Sequence, residues 1–459
     1  MTGDGVDARA GTDADGGAYH EALRQLAERG RFGIQLGLGR TRALLRELGN
    51  PERALRGVLV GGTNGKGSVL ALAGAALRAT GLRVGETPKP HLVSYRERLQ
   101  VDGRPIDAAT FARLVGDVLP IADRVARRLG PPTEFEVLTA MLFRWFAEER
   151  VQVAVIEVGL GGRLDATHAW DGGVAAITNV ALDHMDRLGD TIPKIAREKA
   201  AIIERGDLAV TGATGDGLAV IRRRARRMGV PLTIAQPAPI LGWDRDGLTV
   251  ELPNLGRTRV GLRGRHQAAN VAVADGVLDA LAAAGIAATP DEARRRGYAT
   301  ARWPGRLELL ELAGHDVLLD GAHNPAGAAA LAAALDDLRP HLRAADEPWT
   351  LVIGAMADKD VAGIVASLGD AAVLQGARII ATQVDVPRAL AAESLAAAWQ
   401  RAHPEARVEA VHEASKALDL ALRAASGPVV VAGSLYLVGE ARRRWVDDPM
   451  FKDPEASSA

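Results

Sequence analysis

The sequence predicts an α/β protein made of two successive α/β regions, and three observations carry that expectation. Residues 57–60 form an apolar, β-branched run that breaks into glycines and leads into an alanine-rich helical stretch over 70–80. Two further apolar runs, 151–158 and 174–180, finish close to polar residues, as strands buried on both faces of a parallel sheet do. Past residue 300, short apolar runs at 316–319, 350–353, 377–382 and 429–432 alternate with alanine-rich helical stretches. Open sheets of this kind carry their sites beyond the carboxyl ends of the strands.

Taken in order, residues 1–17 are acidic and rich in Gly and Asp, so they are expected to be disordered. Helical spacing recurs over 19–29 and 40–48, joined by a glycine-containing link at 32–39 and closed by Asn50-Pro51. After the strand–helix unit come a short strand at 82–84, a stiff loop Glu86-Thr87-Pro88-Lys89-Pro90-His91, and helices over 108–128 and 136–150. Within 237–262, Gly242, Asp244 and Gly247 separate short alternating segments, which predicts a small antiparallel hairpin. A helix over 266–284 closes the first region, and a linker over 285–300 leads to the second. The expected domains are therefore 18–290 and 300–459, following the tail at 1–17. The arginine runs 222–227, 294–296 and 442–444 read as solvated helix faces, since no aromatic residue interleaves with them.

With 459 residues the chain has room for roughly two or three domains, each with its own core. A composition 47% apolar and 25% charged is that of a globular protein. The net charge of −1 provides no basic field for nucleic acid or an anionic membrane surface. Cysteine is absent, which removes disulfide and thiol chemistry. No apolar stretch reaches the ~18 residues of a membrane span, and the first residues lack the pattern of a signal peptide, so a cytoplasmic protein is expected.

The stretch Gly62-Thr63-Asn64-Gly65-Lys66-Gly67-Ser68, between strand and helix, has the ingredients of a phosphate cradle. Glycines let backbone N–H groups turn inward, the helix N-terminus adds partial positive charge, and the lysine reaches outer phosphates. It departs from the Walker pattern where Val60 takes the first glycine position and Gly67 separates Lys66 from Ser68. A plain glycine turn is the blander reading. Glu157 ends one buried run and suits magnesium beside ATP, which takes one or two carboxylates plus phosphate oxygens. Asp183 and His184 follow the next run; the histidine is either a ligand or a structural residue. Asp320-Gly321-Ala322-His323-Asn324-Pro325 stands at a strand end, where a site and a simple turn with a helix cap remain equal readings.

These stretches, taken with Pro90-His91-Leu92, residues 157–167, Leu182-Asp183-His184, Glu198-Lys199-Ala200, His266-Gln267 with Asn270, residues 303–308, Asp358-Lys359-Asp360 and Gly433-Ser434-Leu435-Tyr436, give the chain a clear resemblance. It resembles the folylpolyglutamate synthase and dihydrofolate synthase family, relatives of the Mur ligases, over residues 30 to 440. The resemblance implies an N-terminal P-loop-type ATPase domain with a mainly parallel sheet and a C-terminal Rossmann-like domain, with ATP and Mg2+ between them. It implies that Thr63, Asn64, Gly65, Lys66, Gly67 and Ser68 cradle the nucleotide. Asn270, Arg306 and Asp320 would contact it from across the cleft, while Glu157 and His184 would hold magnesium. Lys66, Asp183, Lys199 and His323 would serve catalysis, Lys199 aligning with a lysine that is carbamylated in the family. The pterin acid would lie along Gly33, Ile34, Gln35 and Leu36, along Thr133, Glu134, Phe135 and Glu136, and along Leu164, Asp165 and Ala166.

The implied activity is ATP-dependent addition of L-glutamate to dihydropteroate or folates by a monomer, without nucleic-acid or membrane partners. The alternatives are a Mur-type amino-acid ligase acting on a nucleotide-sugar peptide and a P-loop ATPase module without ligase chemistry. Two departures stand out. Lys89 replaces a serine that binds magnesium in the family, and its ammonium is expected to neutralise phosphate charge in place of a metal contact. His168 replaces an asparagine beside the pterin segment, which bears either on substrate preference or on nothing.

Overall fold

The computed structural model describes residues 6–455 apart from Arg31, Phe32 and Ile34. Its largest sheet has eight strands: β1 (Gly57–Gly61), β2 (Val84–Thr87), β3 (Gln100–Val101), β4 (Arg104–Pro105), β5 (Val153–Glu157), β6 (Gly173–Ile177), β7 (Leu208–Thr211) and β8 (Leu232–Ile234). Their order is β4-β3-β2-β5-β1-β6-β7-β8, parallel from β2 to β8 with β3 and β4 as an antiparallel edge. Alternation explains why these runs are apolar throughout. Leu59, Ala154, Ile156, Ala175 and Ile177 point into one core, while Val58, Val60, Val153, Val155 and Val174 point into the other. Helices cover both faces, among them the cradle helix Lys66–Arg78 on one side and Glu134–Glu148 on the other.

A three-stranded antiparallel sheet follows, β9 (Ile240–Asp244), β10 (Gly247–Leu252) and β11 (Gly256–Val260), one strand more than the expected hairpin. The last sheet comprises β12 (Glu308–Leu312), β13 (His315–Leu319), β14 (Thr350–Ile353), β15 (Arg378–Gln383), β16 (Arg407–Glu413) and β17 (Val429–Ala432). Its order is β12-β13-β17-β14-β15-β16, with only β12 antiparallel. The two edge strands were not legible because edge positions are half-exposed and mix polar with apolar residues.

Three expectations need correction. The helix Val6–Gly30 already includes residues 6–17, which were expected to be disordered, while residues 1–5 lie outside those described. Its packed end explains the continuation: Tyr19, Ala22 and Leu26 are buried in the core, and helices propagate more easily than they nucleate. The supposed linker at 285–300 contains the helix Asp291–Thr300, which lies against the cradle helix with Gly297 facing the backbone of Ala76. Nor are the arginine runs all solvated faces. Arg294 is buried against Asp275 and Asp279 at 3.0 and 2.7 Å, and Arg442 is buried against Glu308 at 3.1 Å.

The two α/β units meet through several polar contacts. Arg245 holds Asp316 through two bonds of 2.6 and 2.5 Å, and Trp243 Nε1 donates to the Asp337 carbonyl at 3.0 Å. From the other end, residues 450–454 return to the N-terminal unit. The Tyr19 hydroxyl donates to Asp453 Oδ1 at 2.7 Å, Arg96 Nη2 to the Met450 carbonyl at 3.2 Å, and Ser94 Oγ also bonds Asp453.

Because a Cβ at Gly297 would overlap the Ala76 backbone, Gly297→Ala is expected to destabilise the N-terminal unit by about 1–3 kcal/mol. Gly242→Ala, with open space around it, should stay within about 0.5 kcal/mol. Urea unfolding of the two variants checks this; equal effects would contradict the packing.

Candidate active site

A cleft of about 1810 Å³ runs along the carboxyl ends of β1, β2 and β5 and is closed on its far side by the C-terminal unit. Register builds its floor. Val60 is level with Glu157 on one side of β1 and with Ala176 on the other, so the loops leaving β1, β5 and β6 emerge together.

The cradle is fastened to the loop after β6. Thr63 N–H donates to the Asn179 carbonyl at 3.0 Å, Asn64 N–H to Asn179 Oδ1 at 2.9 Å, and Thr178 Oγ1 to the Asn64 carbonyl at 2.6 Å. Gly65 has φ 82°, in the left-handed region, and a side chain there would collide with Asn270. The helix Lys66–Arg78 begins at that turn, so its first-turn N–H groups and positive dipole end point into the cleft. Gly67 is pressed against the Trp303 ring, which fixes the depth of the loop, and Ser68 is buried beside it.

Lys66 Nζ curls back onto the carbonyls of Gly62 and Thr63 at 3.2 and 3.0 Å and lies 3.9 Å from Glu157 Oε1. Lys199, buried, donates to the Gly62 carbonyl at 2.8 Å. Burial, aided by the neighbouring Lys66 charge, draws the Lys199 ammonium down to about 7, so a neutral amine is accessible near neutrality. Burial raises Glu157 against the pull of Lys66.

Glu157 is the acidic group that the end of β5 brings to the cradle. Among the described residues no three His, Asp or Glu side chains converge as a ready-made metal cage. This donor set fits magnesium only together with phosphate oxygens, the arrangement that ion ordinarily takes in nucleotide sites. His184 lines the same cleft in a left-handed conformation, φ 50°, with Nε2 3.9 Å from Asp183 Oδ2.

From the C-terminal unit, Arg306, Asp320 and His323 face this floor across the cleft. Asp320 is buried and holds its own turn, accepting from Leu307 N–H and Ala322 N–H, each at 2.8 Å. Burial raises its carboxyl and lowers the Arg306 guanidinium, while each charge partly offsets the other's shift. His323 Nδ1 lies 2.8 Å from the Gly321 carbonyl, which selects the Nδ1–H tautomer and leaves Nε2 with its lone pair. Burial lowers His323 to about 4, so it is neutral at pH 7.

Two residues absent from the sequence-based site close the cleft. Asn324 exchanges two amide hydrogen bonds with Asn64, at 3.3 and 3.1 Å, and also donates to Asp183 Oδ2 at 3.1 Å. Lys359 donates to Asp183 Oδ1 at 2.8 Å. Burial opposes the Asp183 charge, but His184 and Lys359 together bring it down to about 2. Asp183 is therefore a fixed anion joining the two halves beside the cradle.

Away from the cradle, Gly33, Gln35, Leu36, Thr133, Glu134, Phe135, Glu136, Leu164, Asp165 and Ala166 all line the continuation of the cleft. Ile34 lies outside the described residues. Several of these groups already have structural work. Thr133 and Glu136 form a capping box on the helix Glu134–Glu148, and Glu136 also accepts from Arg40 Nε at 2.9 Å. Asp165 ties Leu160 N–H and Thr167 N–H at 2.8 and 3.0 Å. They shape the pocket while Gly33, Leu36, Phe135 and Leu164 supply apolar lining. His91, Arg98, Tyr436 and Arg443 also line it and were not foreseen as site residues. Arg98 Nε donates to His91 Nδ1 at 2.8 Å, an arrangement no spacing rule would have suggested. His168 does not line the cleft. It is buried against the Arg163 carbonyl and lies 3.3 Å from Glu204, so its bearing on substrate preference is corrected to a packing role.

Lys89 follows β2 and lines the same cleft. Its peptide bond to Pro90 is cis, its N–H donates to Glu157 Oε2 at 3.0 Å, and its ammonium donates to the Glu157 carbonyl at 2.7 Å. The ammonium sits 4.7 Å from the Phe135 ring centroid, toward the pocket continuation.

Comparison with known proteins now adds to the geometry. The family profile described as Mur ligase middle domain matches residues 60–278, and the one described as Dihydrofolate synthetase, C-terminal domain, matches residues 307–444. The chain is 34% identical to the Bacillus subtilis protein named Dihydrofolate synthase/folylpolyglutamate synthase, covering 93% of this chain and 99% of that one. The chain belongs to the folylpolyglutamate synthase/dihydrofolate synthase family. It is also 36% identical to a Haloferax volcanii protein named Probable bifunctional folylpolyglutamate synthase/dihydropteroate synthase, spanning about half, 50%, of that longer protein. Among solved structures, Mycobacterium tuberculosis folylpolyglutamate synthase, complexed with ADP and AMPPCP, superposes with a TM-score of 0.83 at 32% identity, covering 94% of this chain and 100% of that one. The family's two-unit α/β architecture is the one described above. No helix among the described residues is long and apolar enough to cross a membrane.

Asp183 holds Lys359 and Asn324 together, so Asp183→Ala is expected to loosen the contact between the units and increase the radius of gyration in solution. Small-angle scattering of wild type and variant measures it. Identical scattering curves would show that the closed form does not depend on this residue.

Proposed function

We propose that this protein is an ATP-dependent ligase that joins L-glutamate to dihydropteroate or to a folate through an acyl phosphate. The observation that carries the reading is the continuity of one cleft. A phosphate cradle and Glu157 sit at one end, Arg306 and Asp320 face them from the second unit, and a long, partly apolar pocket leads away along Phe135 and Leu164. Relatives named for this activity, and a solved relative complexed with ADP and AMPPCP, support the reading. Both halves of the cleft come from a single chain, which supports a monomer as the working unit.

The chemistry follows from the poor leaving ability of oxide. A carboxylate oxygen of the acceptor attacks the γ-phosphorus of ATP; the new P–O bond forms as the bond to the β,γ-bridging oxygen breaks and ADP leaves with that electron pair. The glutamate amine then attacks the acyl carbon, and the tetrahedral intermediate collapses by expelling inorganic phosphate. Catalysis of the first step is mainly positioning and charge stabilisation. Lys66 needs only to leave its two loop carbonyls to reach a γ-phosphate over the cradle. Arg306 faces it from the opposite wall. Magnesium, held by Glu157 with phosphate oxygens and by His184 at the same mouth, would neutralise the polyphosphate charge when bound. His323 Nε2, neutral and next to Asp183, is placed to take the proton that the attacking amine gives up. Lys199, whose amine is neutral at modest cost, has the reactivity that a carbamate needs. The Asn64–Asn324 and Asp183–Lys359 contacts keep water from the acyl phosphate by closing the units over it.

Lys66→Ala is expected to lower ATP-dependent addition of glutamate to dihydropteroate by about a thousandfold, with circular dichroism unchanged. Mass-resolved products from dihydropteroate and from a folate acceptor provide the measurement. Undiminished turnover would refute the cradle assignment, and phosphate release indifferent to both acceptor and glutamate would refute the ligase reading in favour of a simple ATPase.

A further inference from the structure

Lys89 is a cation whose surroundings do not account for it. Its Nζ has three donors and makes one hydrogen bond, to the Glu157 carbonyl at 2.7 Å. Among the described residues no carboxylate lies within ion-pair distance of that ammonium. The nearest acids are engaged elsewhere. Glu157 Oε2 accepts from the Lys89 backbone N–H at 3.0 Å, and Asp165 receives Leu160 N–H, Thr167 N–H and the Thr167 hydroxyl at 2.8, 3.0 and 2.6 Å. A recessed ammonium with one carbonyl, an aromatic face and two acids, Asp165 and Glu157, held beyond ion-pair distance is costly unless a further anion completes it.

Its position says which anion. The ammonium lies over Phe135, 4.7 Å from the ring centroid, on the wall where the cleft passes from the cradle to the apolar pocket. The cradle has its own cation in Lys66, which curls onto the loop carbonyls and lies 3.9 Å from Glu157 Oε1, whereas Lys89 bonds the Glu157 carbonyl and, through its N–H, Oε2. Lys89 thus stands between the cradle, which it meets through Glu157, and the pocket, which it meets over Phe135. Resting on the ligase reading above, we propose that Lys89 is a substrate-binding residue whose ammonium receives the acceptor carboxylate and aims it at the γ-phosphate. The aromatic ring of the acceptor then stacks toward Phe135. The same cation offsets the repulsion between two anions that must approach each other before the P–O bond can form. This differs from the expectation that Lys89 serves the phosphates in place of a metal contact.

The test measures binding without nucleotide. Dihydropteroate and its carboxamide analogue are titrated by fluorescence into wild type, Lys89→Met and Lys89→Gln, alongside ADP as a reference ligand. Wild type is expected to prefer the acid over the amide by about 10- to 100-fold, the range of a charge-assisted hydrogen bond. In both variants the two compounds should bind within about threefold of each other, with ADP affinity unchanged. A merely structural lysine would weaken acid and amide alike and leave the ratio intact, which would overturn the proposal. So would a preference that survives while ADP affinity falls, since that places Lys89 on the phosphates. Wild type binding neither pterin would sink the ligase reading itself, a distinguishable failure. Should both variants misfold, a crystal structure of wild type with dihydropteroate decides: a carboxylate oxygen within about 3.2 Å of Nζ supports the assignment, and any other location for that carboxylate refutes it.

Discussion

The parallel register of β5, β1 and β6 is the constraint from which the site follows. With Val60 level with both Glu157 and Ala176, three loops leave the sheet at one height. The middle one becomes the cradle, its neighbour delivers Glu157 and the third delivers Asn179, Asp183 and His184. Slipping either pairing by one residue would turn core side chains to the wrong face, so the two apolar cores that sandwich the sheet enforce the alignment. The placement of the candidate site is thereby secured by the packing of two apolar cores.

What the N-terminal unit cannot supply is a lid. The C-terminal sheet brings Arg306, Asp320 and His323 opposite the cradle, and the closure beside the cradle is polar, while Leu92 packs on the C-terminal core farther along. Asn64 and Asn324 exchange hydrogen bonds, and Asp183 accepts from both Asn324 and Lys359. Each of these bonds exchanges readily with water, so such a closure is reversible at modest cost. A ligase that must admit three substrates and release three products needs that property.

The cradle, Glu157 and the two α/β units were legible in the sequence because each signal is local: a strand, a glycine turn and a helix fall within about 25 contiguous residues of ordinary propensity. The Asp183–Lys359 pair was not, since 176 residues separate its members: each stands in a stretch singled out in the sequence, but nothing local says that the two meet. Capping explains another shortfall. Thr133, Glu136 and Asp165 stand in segments expected to bind substrate, yet their polar atoms serve the turns that hold those segments. The helix Asp291–Thr300 escaped notice for the opposite reason: a charged, arginine-rich segment with one glycine looks like a connector until its buried partners, Asp275 and the Ala76 backbone, are known.

The return of residues 450–454 to the first unit has a mechanical corollary. Ser94 and Arg96, which grip that segment, belong to the same short stretch of chain as Lys89 and His91, while Arg442 holds the segment's Phe451 from the far unit at 5.8 Å. The rim of the cleft at His91 is therefore leashed to the C-terminal unit. Rotation that parted the two units would tug on that rim, so that the shape of the cleft at His91 and the separation of the units would change together.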